Sequence, residues 1–445
     1  MLDHGTYRGE TSVRPTVAGV LRTFGPDCRR RHPFLPPQQW RVLGHLCSCH
    51  TSALGGRVQS CDDCGFEQVI FHGCRDRHCP SCQKLGQADW IAQRHARLVP
   101  VGHFHVVVTL PEPMRAVALG NERLVYDMLL RAACATLLEL GHDPKWLGAE
   151  LGITAVLHTW TRDLRLHPHV HCIVTAGGLS SDGSAWVNLR KSDFLFPLRV
   201  IGALLRGKML DGLAKAHRAG SLRFRAATAH LACPDRFAQL LSELKNTTWI
   251  TFCEAPRTSS PRAILRYLGR YVNCVALSDE RILRVDDQTV TFATKNGETC
   301  TLEGHEFVRR FLMHVLPHSF VKIRHCGLYA PCRVRTRLQA ARFLASLPSD
   351  PFAILAMVFA GARDKATAVA TMSRALDPHY VPHEPASVVH CAAIDWQQRL
   401  FNLSGNDSSR CPRCAHPLTH RQFAPFTPPP LARAHSPPCT QSHAA

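Results

Sequence analysis

His167-Pro168-His169-Val170-His171-Cys172-Ile173-Val174 is the stretch of the sequence that decides the fold. Pro168 ends the segment before it and the β-branched residues after it favour extended backbone, so the stretch predicts a turn and then a short buried strand. Alternate side chains of a strand share a face, and His169 and His171 therefore project together. Two neutral imidazoles on a rigid strand make half of a metal site. The competing interpretation is a pair of hydrogen-bonded histidines on a half-buried strand, in a chain with 27 histidines.

Size and charge narrow the class of protein. A chain of 445 residues exceeds what one hydrophobic core usually organises, so two or three domains are expected. Its 53 lysines and arginines against 34 acidic residues give a formal charge of +19, which favours a polyanionic partner, nucleic acid first and acidic membrane second. A basic bias of the whole proteome is the alternative. No apolar run is long enough to span a bilayer and the start has no signal-peptide pattern, so we expect a cytoplasmic protein with no membrane partner.

The cysteines indicate zinc. The cytoplasm reduces disulfides, so the 20 cysteines are expected to be thiols. Two C-x-x-C knuckles, Cys61 with Cys64 and Cys79 with Cys82, are separated by fourteen residues. This spacing is typical of four thiolates that hold one structural Zn²⁺.

Further ligands of the same kind lie nearby. Cys49, Cys74 and His78 are within reach of a possible second zinc site. Arg77 and other basic residues interleave with the ligands, as expected of a zinc module that faces phosphate. A third knuckle, Cys411-Pro412-Arg413-Cys414, is compatible with zinc but has no obvious second pair.

The remaining pattern mixes strands and helices. The predicted strands are 105–111, 154–160, the histidine strand, 222–225, 281–284, 290–294, 299–302 and 321–324. The predicted helices are 38–46, 121–141, 197–217, 234–245, 261–272 and 306–316. From about residue 425 the tail is rich in proline and histidine and is expected to be disordered.

The helix predicted over 261–272 carries Tyr267 and Tyr271 four residues apart, so the two rings share one face. Arg266 and Arg270 occupy the neighbouring flank. Only six tyrosines occur in the chain, and two of them are here. The alternative interpretation is an aromatic stripe packed in the core.

The order of these parts resembles that of the HUH single-strand endonucleases, and the span 15–330 is similar to the rolling-circle insertion-sequence transposases of the IS-ninety-one type. The matching motifs are Leu54-Gly55-Gly56, Cys61-Asp62-Asp63-Cys64-Gly65, Arg77-His78-Cys79-Pro80-Ser81-Cys82-Gln83, Phe104-His105-Val106-Val107, Thr109-Leu110-Pro111, Leu157-His158-Thr159-Trp160, His167-Pro168-His169-Val170-His171-Cys172, Tyr267-Leu268-Gly269-Arg270-Tyr271 and Arg324-His325-Cys326-Gly327. Val108, Asn273-Cys274 and Cys326 depart from the family pattern. None of these departures removes a reacting group.

The resemblance implies an α+β fold, an HUH-endonuclease-like antiparallel sheet flanked by helices and preceded by a small zinc-binding domain. It implies that His169 and His171 hold a catalytic Mg²⁺ or Mn²⁺, with His158 or Asp163 as third ligand. Tyr267 and Tyr271 would be the nucleophiles that form a 5′-phosphotyrosine with single-stranded DNA at element ends and target. The residues expected to contact DNA are Arg77, Arg266, Arg270 and Arg324.

The expected domains are a basic arm (1–40), the zinc-binding domain (41–98), the catalytic domain (99–335) and a C-terminal region (336–445). Two rival functions remain open on the residues alone. One is a non-catalytic zinc-dependent DNA-binding protein, in which the histidines and tyrosines belong to the core. The other is a metal-dependent His-x-His hydrolase, which would need further ligands at the ends of successive parallel strands.

Overall fold

The computed structural model describes residues 14–83, 94, 97–256, 276–347 and 409–425. The helices in this part are α1 (Val17–Arg31), α2 (Pro37–Cys47), α3 (Arg115–Gly120), α4 (Glu122–His142), α5 (Leu198–Arg218), α6 (Pro234–Asn246), α7 (Gly304–Leu312) and α8 (Arg337–Ser346). The strands are β1 (Gly56–Ser60), β2 (Glu67–Phe71), β3 (His103–Thr109), β4 (Ala149–Glu150), β5 (Gly152–Trp160), β6 (Leu166–Thr175), β7 (Gly178–Ser180), β8 (Trp186–Val187), β9 (Thr251–Glu254), β10 (Ile282–Val285), β11 (Thr289–Ala293), β12 (Thr299–Glu303), β13 (Ile323–Gly327) and β14 (Thr419–Phe423). Within these residues, every helix is too short or too polar to cross a bilayer.

Five antiparallel strands form the central sheet, in the order β13-β5-β6-β3-β9. β6 contains the histidine stretch and is the middle strand. It pairs with β5 on one side and with β3 on the other. The predicted α+β fold, an antiparallel sheet flanked by helices, is confirmed.

The two faces of this sheet have different roles. One face carries apolar side chains, among them Val106, Ala155 and Val170, which pack with α4, α5 and α6 in the main core. Alternation along a strand then directs the side chains of His169 and His171 to the opposite face. The helices therefore support the sheet from one side and leave the histidine face to other parts of the chain.

β6 begins earlier than predicted and includes Pro168. His158 pairs with His169, but Trp160 pairs with Leu166, so one residue of β5 lies opposite two of β6. This bulge accommodates proline, which has no N–H to donate to a regular ladder. The Pro168 carbonyl still accepts a hydrogen bond from the backbone N–H of Leu110 at 2.9 Å.

Residues 222–225 were predicted to form a strand, and this prediction is wrong. The side chain of Asn121 donates to the carbonyl of Arg223 at 2.9 Å and accepts from its backbone N–H at 2.7 Å. One amide group thus satisfies the backbone groups that a neighbouring strand would otherwise pair.

The N-terminal region packs into a core of the protein and is not a separate basic arm, which corrects the prediction for residues 1–40 in the range from 14 onward. α1 contributes Val17, Leu21 and Phe24 to a second core, which it shares with α7 and with the sheet formed by β10, β11 and β12. The basic run at the end of α1 remains exposed. The apolar side chains of α1 therefore determine where the helix packs, and its charged end does not.

A small sheet brings the two ends of the described chain together. β1 is its middle strand, with β2 on one side and β14 on the other. β14 belongs to the region predicted as a separate C-terminal extension. Residues 409–425 instead complete the sheet of the N-terminal zinc domain.

Candidate metal centre and thiol clusters

Three histidines, called here the histidine cluster (His158, His169 and His171), meet on the face of the central sheet opposite the main core. His158 of β5 is the direct cross-strand neighbour of His169, and His171 lies two residues further along β6. Their ring centroids are separated by 4.6 to 5.4 Å. One nitrogen of each ring lies within 4.8 Å of the others. Imidazoles at this spacing can share one metal ion.

Of the two residues predicted as third ligand, His158 lies in the cluster and Asp163 does not. Asp163 follows β5, where its carboxylate accepts a hydrogen bond from the Thr161 hydroxyl and pairs with Arg165 at 2.6 Å. His158 is buried and stacks on the indole of Trp160, with ring centroids 4.5 Å apart. The aromatic ring therefore fixes the plane of the third imidazole.

Burial favours the neutral forms of His169 and His171. Desolvation lowers the pKa of His169 to about 4. Desolvation, reinforced by the neighbouring imidazoles, lowers the pKa of His171 far below its usual value. The Nδ1 atom of His169 lies 2.6 Å from the backbone carbonyl of His167, so Nδ1 carries the proton and Nε2 is left as the ligand atom. Neutral imidazoles are the form that a metal ion requires.

His171 is held from behind by a second histidine and a carboxylate. Its Nδ1 atom lies 2.7 Å from Nε2 of His105 on β3. Nδ1 of His105 in turn lies 4.0 Å from a carboxylate oxygen of Glu254, the last residue of β9. If His171 binds a metal through Nε2, its Nδ1–H donates to His105, and His105 directs its own N–H toward Glu254. Such outer partners fix the tautomer and the orientation of a ligand.

The sequence did not predict the roles of His105 and Glu254. His105 lies in one of the matching motifs, but only the pairing of β3 with β6 places it beside His171. Glu254 carries no local signal, because it reaches His105 through the pairing of β9 with β3. Both roles follow from sheet order, which a pattern of apolar residues does not determine.

The first thiol cluster consists of Cys49, Cys74, Cys79 and Cys82. Its sulfur atoms are separated by 3.5 Å (Cys49 to Cys79), 3.6 Å (Cys49 to Cys82) and 3.9 Å (Cys74 to Cys82). In a tetrahedral site with Zn–S bonds of about 2.3 Å the sulfur atoms lie roughly 3.8 Å apart. Hydrogen bonds from the neighbouring thiols lower the pKa of Cys49, whereas the same contacts raise the pKa of Cys79. Four thiols at this spacing fit one structural Zn²⁺.

The second thiol cluster consists of Cys61, Cys64, Cys411 and Cys414. The sulfur atoms lie 3.4 Å apart between Cys61 and Cys414, and 3.5 Å apart between Cys64 and Cys411. The third knuckle, which had no obvious second pair, therefore lies against the first.

These clusters correct two predictions. The knuckles at Cys61–Cys64 and Cys79–Cys82 were expected to share one ion, but each belongs to a different cluster. His78 was expected as a ligand of the second site, and it lies outside both. Its Nδ1 atom is 2.9 Å from Asp76, and its Nε2 atom accepts the backbone N–H of Leu316 at 3.2 Å. His78 thus fastens the zinc domain to the segment after α7.

The two described arginines of the predicted DNA-binding set are engaged within the chain. The guanidinium group of Arg77 donates to the carbonyls of Phe320 (2.7 Å) and Pro317 (3.0 Å). Arg324 pairs with Asp127 of α4 at 2.5 Å, on the side of the sheet that faces the main core. Both arginines therefore contribute to packing between parts of the chain, and their contact with DNA stays a prediction. Tyr267, Tyr271, Arg266 and Arg270 lie outside the described residues.

Two family models match the chain. The one described as "Transposase zinc-binding domain" matches residues 20–110, which include the first thiol cluster. The one described as "Putative transposase" matches residues 152–337, which include the histidine cluster.

Two curated proteins are similar over most of their length. "Putative transposase y4qJ" of Sinorhizobium fredii (strain NBRC 101917 / NGR234) is 42% identical over 319 residues, which are 70% of this chain and 80% of that protein. "Transposase for insertion sequence element IS801" of Pseudomonas savastanoi pv. phaseolicola is 29% identical over 296 residues, which are 64% of this chain and 68% of that protein. No solved structure matches the chain.

Proposed function

Because this chain belongs to the family of insertion-sequence transposases of the IS-ninety-one type, we propose that it nicks single-stranded DNA through a 5′-phosphotyrosine and transfers the strand by a rolling-circle mechanism. The observation that carries this proposal is the histidine cluster. Three imidazoles converge on two paired strands of the central sheet, and such a cluster can hold the divalent cation of a metal-dependent nuclease.

The residues of this chain would hold the metal ion in a fixed place. The pairing of β5 with β6 sets the spacing of the three imidazoles, and His105 with Glu254 orients His171. A bound divalent cation would polarise the scissile phosphate and offset the charge that builds on its oxygens. Strands hold ligands more rigidly than loops do, so this placement supports a preorganised site.

We assign the nucleophilic step to Tyr267 and Tyr271. A tyrosine oxygen would attack the phosphorus in line, so that a phosphorus–oxygen bond to tyrosine forms and the bond to the 3′ oxygen breaks. The 3′ oxygen leaves as a hydroxyl group and takes up the proton that the tyrosine gives up. The phosphotyrosine link retains the free energy of the phosphodiester, so rejoining needs no ATP. Two tyrosines would allow one link for each end of the moving strand.

The identity of the catalytic cation is a separate proposal. Mg²⁺ and Mn²⁺ were predicted from the resemblance. Mg²⁺ strongly prefers oxygen ligands, whereas the affinity of nitrogen ligands for first-row transition ions rises from Mn²⁺ to Co²⁺ and beyond. A cluster of three nitrogens should therefore bind Mg²⁺ more weakly than a transition ion. We expect Mn²⁺ or Co²⁺ to support cleavage at a lower concentration than Mg²⁺ does.

The partner we propose is DNA, as single-stranded element ends and as target. The formal charge of +19 supports a polyanionic partner. Contacts of lysine and arginine with phosphates release counterions, and this release increases the affinity of a protein for nucleic acid. We also propose that the protein acts in the cytoplasm. The described cysteines form no disulfide with one another, which suits a reducing compartment.

A nicking assay with matched histidine variants tests this function. The substrate is single-stranded DNA from an end of the element that encodes the chain, incubated with Mn²⁺. We expect His158→Ala to reduce cleavage at least a hundredfold while DNA binding is retained, because the imidazole would act on the metal and not on DNA affinity.

The matched control is His325→Ala. His325 lies on the same face of the sheet, on β13, and hydrogen-bonds to Thr154 at 3.0 Å outside the cluster. The His325→Ala variant should cleave DNA at close to the wild-type rate. The proposal would be contradicted if both variants lost cleavage activity equally. It would also be contradicted if the wild type bound DNA but did not cleave it with any divalent metal, and this result would favour a non-catalytic DNA-binding protein.

A further inference from the structure

The second thiol cluster joins segments from opposite ends of the sequence. Cys61 and Cys414 are 353 positions apart, yet their sulfur atoms lie 3.4 Å from each other. Neither matching family model reaches residues 409–425, since they cover 20–110 and 152–337. Cys61 and Cys64 lie within the span of the zinc-binding family model, whereas Cys411 and Cys414 lie outside both family models.

We propose that the second thiol cluster holds its own Zn²⁺, and that this ion fastens residues 409–425 to the N-terminal zinc domain as the third strand of its sheet. Together the two knuckles and three strands form a zinc ribbon assembled from both ends of the chain. This inference does not depend on the proposed nicking activity.

The two knuckles have the same backbone geometry, which is the first support. In one, the N–H of Cys61 donates to the carbonyl of Phe66 at 2.9 Å, and Gly65 donates to Cys61 at 3.0 Å. In the other, Cys411 donates to His416 at 2.7 Å, and Ala415 donates to Cys411 at 2.9 Å. Two segments that differ in sequence thus form the same turn, with both of their thiols directed at one point.

A strained residue in the second knuckle supports the same conclusion. The fourth residue after the first cysteine has positive φ in both knuckles, 67° at Gly65 and 61° at Ala415. Glycine adopts this conformation without cost, but alanine does so at a cost in free energy. Ala415 is therefore held in place by its surroundings, as expected where a metal ion binds both thiols of the turn.

The strand that follows this knuckle has little hydrophobic contact to hold it. Four of the five residues of β14 are exposed, and its apolar anchor is Phe423, whose ring contacts Phe71 edge-on at 6.2 Å. Small exposed sheets are marginal in water without an additional stabilising element. Four thiols at zinc-binding distances supply that element, because metal affinity in such modules is also folding free energy.

β1 is fitted to receive this strand. β14 pairs with β1 from Gly56 opposite Phe423 to Ser60 opposite Thr419. A Cβ atom at Gly55, the residue before β1, would lie 2.8 Å from the backbone carbonyl oxygen of Phe423 and 2.9 Å from the backbone nitrogen of Pro425, so only glycine allows this approach. The N-terminal zinc domain therefore has a surface shaped for β14 and does not merely have it nearby.

Native mass spectrometry of the full chain tests this proposal by counting zinc. The count is made in the His169→Ala/His171→Ala background, so that a cation at the histidine cluster does not contribute. We expect two zinc ions per chain, and one after Cys411→Ser/Cys414→Ser. The matched control is Cys233→Ser/Cys332→Ser, which removes two exposed thiols outside both clusters and should leave two ions.

Hydrogen exchange in the same variants shows whether the ion fastens the strand. In Cys411→Ser/Cys414→Ser, amides of 419–423 should exchange at least tenfold faster, while those of β5 and β6 keep their protection and show that the rest of the chain folds. One zinc ion in the parent protein, two in the knuckle variant, or unchanged exchange in β14 would overturn the proposal. A dimer that the knuckle variant dissociates would also overturn it, because the thiols would then belong to two copies.

Discussion

His105 lies outside the histidine cluster but contacts His171, one of its members. We expect His105→Phe, which keeps a ring but removes the partner of His171 Nδ1, to weaken binding of Mn²⁺ by roughly ten- to a hundredfold. Isothermal titration calorimetry of the full chain measures this affinity directly.

His103 provides the control for this change, since it lies on the same strand and face and contacts Tyr329 at 2.7 Å outside the cluster. His103→Phe should leave the affinity for Mn²⁺ within about twofold of the wild type. If both variants bind Mn²⁺ as the wild type does, His105 does not position the ligand.

His314 makes stability depend on pH. It is buried, with Nδ1 3.1 Å from the Thr159 hydroxyl and Nε2 3.2 Å from the Leu164 carbonyl, and burial lowers its pKa to about 4. Between the unfolded value of 6.5 and about 4 the unfolded chain binds a proton that the folded chain does not. Its stabilising effect is therefore complete above pH 6.5 and is lost as the pH falls toward 4.

We expect His314→Gln to reduce the dependence of the unfolding free energy on pH across this window by up to about 1.4 kcal/mol per pH unit. Urea unfolding at several pH values measures the slope in both proteins. An unchanged slope would show that His314 is charged or exposed in the folded protein.

Among the elements, the strands of the central sheet were largely predictable and their register was not. The β-branched runs gave β3, β5 and β6 to within a few residues, because apolar period and turn residues are local properties. The choice between His158 and Asp163 depended on where β5 ends and on its offset relative to β6, which places His158 opposite His169 and leaves Asp163 beyond the strand. Such an offset is decided by long-range pairing.

The assignment of the thiols failed for a similar reason. Nearness in sequence suggested that the knuckles at Cys61 and Cys79 share an ion, whereas β1 and β2 direct the first of them toward β14. Knuckle spacing identifies the ligands, but the sheet between them decides the partners. The turn between β11 and β12, in contrast, is a local property, because Asn296 and Gly297 both adopt the positive φ that a tight hairpin turn requires.

The contact between α1 and α7 is tight enough to exclude a single methyl group. A Cβ atom at Gly304 would lie 2.1 Å from the ring of Phe24, inside its van der Waals surface. We expect Gly304→Ala to lower the unfolding free energy by roughly 1–3 kcal/mol through overpacking. Urea unfolding followed by circular dichroism measures the difference.

Gly44 of α2 is the matched control, because nothing lies within 4 Å of a Cβ atom at that position. Gly44→Ala should leave stability unchanged or raise it slightly, as alanine favours a helix. A second variant that combines Gly304→Ala with Phe24→Ala should lose less than the sum of the two single changes. Additive losses would show that the two residues do not meet.

At the scale of the whole molecule, the sequence identified the parts but not their assembly. The knuckles predicted zinc ligands, and the family resemblance implied a zinc domain followed by an antiparallel catalytic sheet. They did not predict that α1 packs against α7, or that residues 409–425 return to β1. Both contacts join segments hundreds of residues apart, and neither leaves a periodic signal in the chain.

The chain combines a histidine cluster, two thiol clusters and the pair Tyr267 and Tyr271, and we propose above all that a tyrosine attacks DNA. The most direct measurement is peptide mass spectrometry of the protein after cleavage of single-stranded DNA from an element end with Mn²⁺. We expect a nucleotide bound through its 5′ phosphate to Tyr267 or Tyr271, and no adduct in Tyr267→Phe/Tyr271→Phe, which keeps both rings. An adduct on another residue, an adduct that survives in the double variant, or cleavage that leaves a free 5′ phosphate would contradict the claim.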